Sequence, residues 1–169
     1  EKEGFEITYL QVDEDGLVSP EELKKAIRPD TTLITIMYAN NEIGTIQPIA
    51  ELGKIAKENG IVFHTDAVQA VGSVKIDVAE QNIDLLSLSA HKFYGPKGIG
   101  ALYIRKGVKV NTLIHGGAQE KGRRAGTENL AAIVGLGKAI EDAVNNIDAN
   151  AEKLTALRER LFDGITSRI

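Results

Sequence analysis

Apolar residues recur along this chain at two alternating periods, and the switches between them outline the fold. Phe5, Ile7, Tyr9 and Gln11 occupy every second position, which predicts a strand over 5–12. Ser19-Pro20-Glu21-Glu22 places a capping serine before a proline and pairs it with a glutamate three residues on, a helix start; that helix runs to about Ile27. Residues 32–39 are β-branched and apolar with hardly a break and predict a buried strand. Ile49, Leu52, Ile55 and Ala56 share one side of a helix over 48–59, and Gly60 ends it. A short strand follows at 61–64. A short helix at 77–81 and strands at 83–88 and 100–104 come next. Residues 107–128 hold five glycines and read as a long functional or interface loop. From Asn129 the spacing is helical again, with Leu130, Ile133 and Val134 continued by Leu136, Ile140 and Val144. A second helix over 150–162 aligns Leu154, Leu157 and Leu161. Strand and helix alternating in this way imply an α/β fold, a mainly parallel sheet with helices on both faces.

Composition narrows the possibilities only a little. The chain has 169 residues, 43 % hydrophobic and 26 % charged, the make-up of one globular domain. A net charge of −4 argues against nucleic acid as the main partner. No run approaches the ~20 apolar residues of a membrane-spanning helix, so no membrane partner is expected. The chain opens Glu1-Lys2-Glu3-Gly4 without a basic segment leading into an apolar one. It therefore offers no signal peptide, reads as a cut piece, and is expected in the cytoplasm. The absence of cysteine excludes disulfides, thiolate zinc sites and a thiol nucleophile on this chain. No metal site is expected.

In parallel sheets ligands bind beyond the carboxyl ends of the strands. Three predicted strands end in polar runs: Asn40-Asn41-Glu42-Ile43-Gly44, His64-Thr65-Asp66-Ala67-Val68-Gln69, and Ser87-Leu88-Ser89-Ala90-His91-Lys92. They would place Asn41, Asp66, Gln69, Ser89, His91 and Lys92 around one crevice. A lysine in a partly desolvated pocket becomes more readily neutral, and a neutral amine forms an imine with an aldehyde. Pyridoxal phosphate carries such an aldehyde together with a ring nitrogen, a phenolic oxygen and a phosphate. Asp66 has the chemistry to hold the ring-nitrogen proton and Gln69 to reach the phenolic oxygen. Ser89 and His91 suit the phosphate.

The same stretches carry a family likeness. His64-Thr65-Asp66-Ala67-Val68-Gln69 and Ser89-Ala90-His91-Lys92-Phe93-Tyr94-Gly95-Pro96-Lys97-Gly98 resemble the two signature segments of the cysteine desulfurases, in the class V aminotransferase group of pyridoxal-phosphate enzymes. Asn40 to Pro48, His115-Gly116-Gly117-Ala118-Gln119-Glu120 and Arg123-Arg124-Ala125-Gly126-Thr127-Glu128-Asn129 are similar to the same family, in the same order. The resemblance implies a fold-type-I large domain and a dimer with active sites at its interface. It implies that Lys92 forms the imine and moves protons, that Asp66 pairs with the pyridine nitrogen and Gln69 with the phenolic oxygen, and that Ser89 and His91 hold the phosphate. It further implies that Asn41 touches cofactor or substrate carboxylate, and that Thr127 reaches the phosphate bound in the opposite subunit. The reaction implied takes sulfur from L-cysteine, leaving alanine and an enzyme-bound persulfide for a sulfur-acceptor protein in iron–sulfur cluster assembly or thiolation.

Residues 1–145 then correspond to an incomplete cofactor-binding core, and 146–169 to a helix leading toward a small C-terminal domain. The resemblance puts several family parts outside this chain: the phosphate-binding turn and ring-stacking histidine on the N-terminal side, the persulfide cysteine and substrate arginine on the C-terminal side. Two other readings fit the same residues. One is another class V enzyme, a selenocysteine lyase or an aminotransferase; the other is a structural fragment without turnover. Plainer roles also apply locally. His64, closing a strand, reads as a hydrogen-bonded structural residue, Lys97 as a turn residue, and Arg123 and Arg124 as a solvated basic spot or a subunit contact.

Overall fold

The computed structural model describes residues 3–169. Four strands, β1 (Leu33–Met37), β2 (Val62–Asp66), β3 (Leu85–Ser89) and β4 (Gly100–Ile104), form one sheet in the order β1-β2-β3-β4. The first three run parallel, and β4 returns antiparallel. Met37 aligns with Asp66, and Asp66 with Ser87, so the carboxyl ends of the parallel strands share one edge. β4 starts at that edge, where Gly100 faces Ser89. Four helices accompany the sheet: α1 (Pro20–Ala26), α2 (Ile49–Glu58), α3 (Leu130–Asn145) and α4 (Ile147–Thr166).

One face of the sheet carries the core. Ile34 and Ile36 of β1, Phe63 and Thr65 of β2 and Leu86 of β3 are buried with Leu23 of α1 and Ile49, Leu52, Ile55 and Ala56 of α2. Leu136, Ala139, Ile140 and Ala143 of α3 pack against the same cluster. Each large side chain removed from water here contributes about 1.5–3 kcal/mol. The cap of α1 is the expected one, with the Ser19 hydroxyl accepting from the Glu22 N–H at 3.3 Å. At the amino edge, Arg105 ties three segments together. Its guanidinium pairs with Asp84 at 3.1 Å and donates to the carbonyls of Val78 and Ile83 at 2.9 Å, while Asp84 accepts from the Phe63 N–H at 2.9 Å.

Four sequence expectations are corrected. Residues 5–11 form no strand. Val12 makes a single bridge to Val18, and Phe5, Ile7 and Tyr9 are exposed, because no described strand runs beside them. The strand at β1 is not buried throughout: it lies at the sheet edge, with Ile34 and Ile36 inward but Leu33 and Met37 outward. The segment 77–81 is a turn rather than a helix, organised by the Asp77 carboxylate, which accepts from the N–H groups of Ala79 (2.8 Å) and Glu80 (3.0 Å). Those two bonds, Glu80's foremost, hold the Asp77 carboxyl below its usual range. The last helix runs from Ile147 to Thr166, longer at both ends than 150–162. No described helix is long and apolar enough to cross a membrane.

Candidate active site

The loops that leave β1, β2 and β3 meet along the carboxyl edge. Backbone bonds knit them there: the Tyr38 N–H donates to the Asp66 carbonyl (2.7 Å), the Ala67 N–H to Ser87 (3.0 Å) and the Ala90 N–H to Ile99 (3.1 Å). Asp66 is the last residue of β2, half-buried, and the N–H of Val68 donates to its Oδ1 at 2.9 Å. Its other oxygen accepts no hydrogen bond from the described residues. Gln69 follows in the next turn, also half-buried, and its amide oxygen is buried without a partner among the described residues. Burying such a group unpaired costs free energy unless a ligand completes it.

Across the edge, Ser89 ends β3 and the chain turns into a 3-10 segment, Ala90–Phe93. The Ser89 hydroxyl and the Nδ1 of His91 lie 2.8 Å apart, so the hydroxyl and imidazole sit ready for one anionic group. Lys92 stands in this segment between buried Ala90 and Phe93, its own side chain exposed. The partly desolvated setting expected for it is therefore not supplied by the described residues. Glycine shapes the exit from the segment. A Cβ on Gly95 would lie 2.9 Å from Ala90 Cβ and 3.2 Å from Ala139 Cβ, so α3 reaches this segment only because Gly95 has no side chain.

Asn41 is exposed on the loop after β1. That loop is fixed by its neighbour Asn40, whose side-chain oxygen accepts from the N–H groups of Glu42 (2.8 Å) and Ile43 (3.1 Å). Gln47 braces the loop from behind, donating to Gly16 (2.7 Å) and accepting from the Val18 N–H (2.8 Å). Thr127 stands apart on the exposed 107–128 loop, and no hydrogen bond joins it to the other six. The structure thus brings Asp66, Gln69, Ser89, His91 and Lys92 to one edge with Asn41 on the adjoining loop.

Sequence reasoning leaves Gln47, the brace of the Asn41 loop, unread, and it reads His64 as a hydrogen-bonded structural residue without naming its partners. His64 is held on both sides: Nδ1 lies 2.6 Å from the Thr35 hydroxyl and Nε2 2.9 Å from that of Ser87. Both depend on which residues lie beside them on other segments, and no local spacing announces that. Burial pushes the His64 imidazole below its ordinary value, with the Asp66 charge opposing.

A carboxylate with a free oxygen, a side-chain amide with N–H groups to donate, a hydroxyl–imidazole pair and a lysine on one strand edge form a set of groups that fits pyridoxal phosphate. The groups offered match a ring nitrogen, a phenolic oxygen, a phosphate and an aldehyde. Residues 1–168 match the aminotransferase class-V family. The chain is 64 % identical over its full length to a cysteine desulfurase IscS of Clostridium botulinum strain Hall, of which it covers 43 %. It is 67 % identical over 165 residues to the Methanosarcina thermophila cysteine desulfurase IscS, covering 98 % of this chain and 41 % of that one. Among solved structures, a NifS-like protein superposes with TM-score 0.93 at 45 % identity, covering 98 % of this chain and 46 % of that one. SspA, solved in complex with cysteine, superposes with TM-score 0.80 at 54 % identity, covering 82 % of this chain and 40 % of that one. The chain spans less than half the length of these relatives. It belongs to the aminotransferase class-V family, whose members depend on pyridoxal phosphate.

Proposed function

We propose that this chain is the cofactor-binding part of a cysteine desulfurase, which converts L-cysteine to alanine and passes the sulfur to a thiol as a persulfide. The observation that carries this reading is the meeting of Lys92, Asp66, Gln69 and the Ser89–His91 pair at the carboxyl edge of β2 and β3. The likeness to cysteine desulfurases over the whole chain, and to a protein solved with cysteine, supports the choice of substrate.

When bound, pyridoxal phosphate supplies an aldehyde for amine capture and a ring that draws electron density from the substrate's Cα. Asp66 holds the proton on the ring nitrogen with its free oxygen. The Gln69 amide donates toward the phenolic oxygen. Ser89 and His91 would bind the phosphate and so fix the ring's position; the Lys92 amine would hold the aldehyde carbon until the substrate's own amine displaces it, and the freed amine would then carry a proton to and from the substrate's Cα. Asn41 contacts the cofactor or the substrate carboxylate. Sulfur leaves Cβ for a thiol, and this chain has no cysteine to provide one; that thiol belongs to the remainder of the protein.

The family resemblance is also what supports a cytoplasmic homodimer in which Thr127 completes the partner's phosphate site, working with a sulfur-acceptor protein. Replacing Lys92 by Ala in the full-length protein is expected to abolish alanine release from L-cysteine, and borohydride reduction is expected to fix the cofactor to Lys92 in the unaltered protein. Cofactor label on another residue, or desulfuration by the Lys92→Ala protein, would overturn the assignment.

A further inference from the structure

His64 lies outside the set that touches the cofactor, yet its surroundings are specific. It sits on β2 two residues before Asp66, and strand alternation puts both side chains on the same face. Thr35 reaches it from β1 and Ser87 from β3. A neutral imidazole offers one donor and one acceptor, and a hydroxyl can serve as either, so all three groups are satisfied without a net charge. Among the described residues the charge acting on the ring is the Asp66 carboxylate; β1 and β3 each give the ring a hydroxyl partner. Ser87 is also the register partner of Asp66 and accepts the Ala67 N–H through its backbone. The strand that carries Asp66 is therefore clamped twice, by backbone at the edge and by side chains one step below it.

We propose that His64 is a positioning residue for Asp66: its two hydroxyl partners lock the end of β2 between β1 and β3 and so fix the carboxylate that faces the ring nitrogen. A cation at this point would compete for the carboxylate, whereas the hydroxyl-paired neutral ring leaves its charge to the cofactor. The proposal rests on the pyridoxal-phosphate reading of Asp66.

The test uses the full-length holoenzyme loaded with cofactor labelled with nitrogen-15 in the ring. In His64→Phe, which keeps an aromatic ring but loses both hydrogen bonds, the ring-nitrogen signal is expected to move toward the unprotonated position. Cofactor release should quicken by about tenfold, the worth of one net hydrogen bond of roughly 1.4 kcal/mol. His64→Gln, able to donate and accept, should restore most of both. A Thr35→Val, Ser87→Ala double variant strips the ring of its partners and gives the same reading should His64→Phe fail to fold. If these variants keep the original signal and release rate while Asp66→Asn changes both, His64 has no positioning role. If Asp66→Asn also leaves both unchanged, the cofactor reading of Asp66 itself falls.

Discussion

Asp66 commits one of its two oxygens to the local structure and leaves the other free among the described residues. One accepts the Val68 N–H and shapes the turn, and the other is left at the sheet edge. That division is why the residue could be picked out from sequence: an aspartate closing a β-branched strand has a turn to cap and a crevice to face. Gln69, Ser89, His91 and Lys92 were legible for the same reason, since each lies within a few residues of a strand end that the apolar pattern already marks. The partners of His64 were not, because Thr35 and Ser87 come together with it only through the pairing of three strands. The pairing has a measurable consequence. His64 titrates below its ordinary value of 6.5 in the folded chain because burial disfavours its charged form. Above that value both folded and unfolded His64 are neutral, and it adds no pH dependence. As pH falls below it, the unfolded chain takes up the proton first, so stability is lost until the folded ring titrates too. Urea unfolding at about pH 5.5 and about pH 7.5 should show a larger loss of stability at the lower pH in the unaltered protein than in His64→Gln. Equal losses would mean that His64 titrates alike in both states.

At the scale of elements, the apolar period located the helices and the three parallel strands but misjudged what depends on neighbours. The alternation of Phe5, Ile7 and Tyr9 is a strand pattern with no described strand to pair it. The unbroken apolar run of β1 suggests burial on both faces, yet its edge position leaves Leu33 and Met37 outward. Asp77 starts a turn because its carboxylate satisfies the next free N–H groups without a helix behind it. Gly53 shows contact setting sequence in the other direction. It sits inside α2, where alanine would favour the helix by about 1 kcal/mol. Yet a Cβ there would overlap the carbonyl oxygen of Gln81 and lie 3.2 Å from Phe63 Cδ1. The obstacle is backbone, and Phe63 is fully buried, so neither yields cheaply. Overpacking of this kind costs about 1–3 kcal/mol, enough to outweigh the helix gain. Gly53→Ala is expected to lower the Tm by several degrees in a thermal melt; a rise would show that α2 can move away from the 77–81 turn.

For the whole molecule, the division of labour follows from what is present and what is not. On the function proposed above, the chain holds the lysine and the ring, phenolic and phosphate partners, and it contains no cysteine at all. It also leaves apolar surface open: Leu154, Leu157, Leu161 and Phe162 of α4 are each more than half exposed. Clusters of that kind on a folded chain mark surfaces that are covered in an assembly, in keeping with relatives more than twice as long. Because an acceptor thiol is chemically required for a persulfide and none exists here, cofactor capture and sulfur acceptance should separate experimentally. Incubated with pyridoxal phosphate, L-cysteine and no other thiol protein, this 169-residue chain is expected to show no sulfur adduct by intact-mass spectrometry. The full-length protein under the same conditions should gain sulfur on a cysteine outside this segment and lose that gain when Lys92 is replaced by Ala. The two halves of the result answer different questions. A full-length adduct that survives Lys92→Ala would detach sulfur transfer from this site. An adduct on the short chain would mean that some group other than a thiol accepts the sulfur.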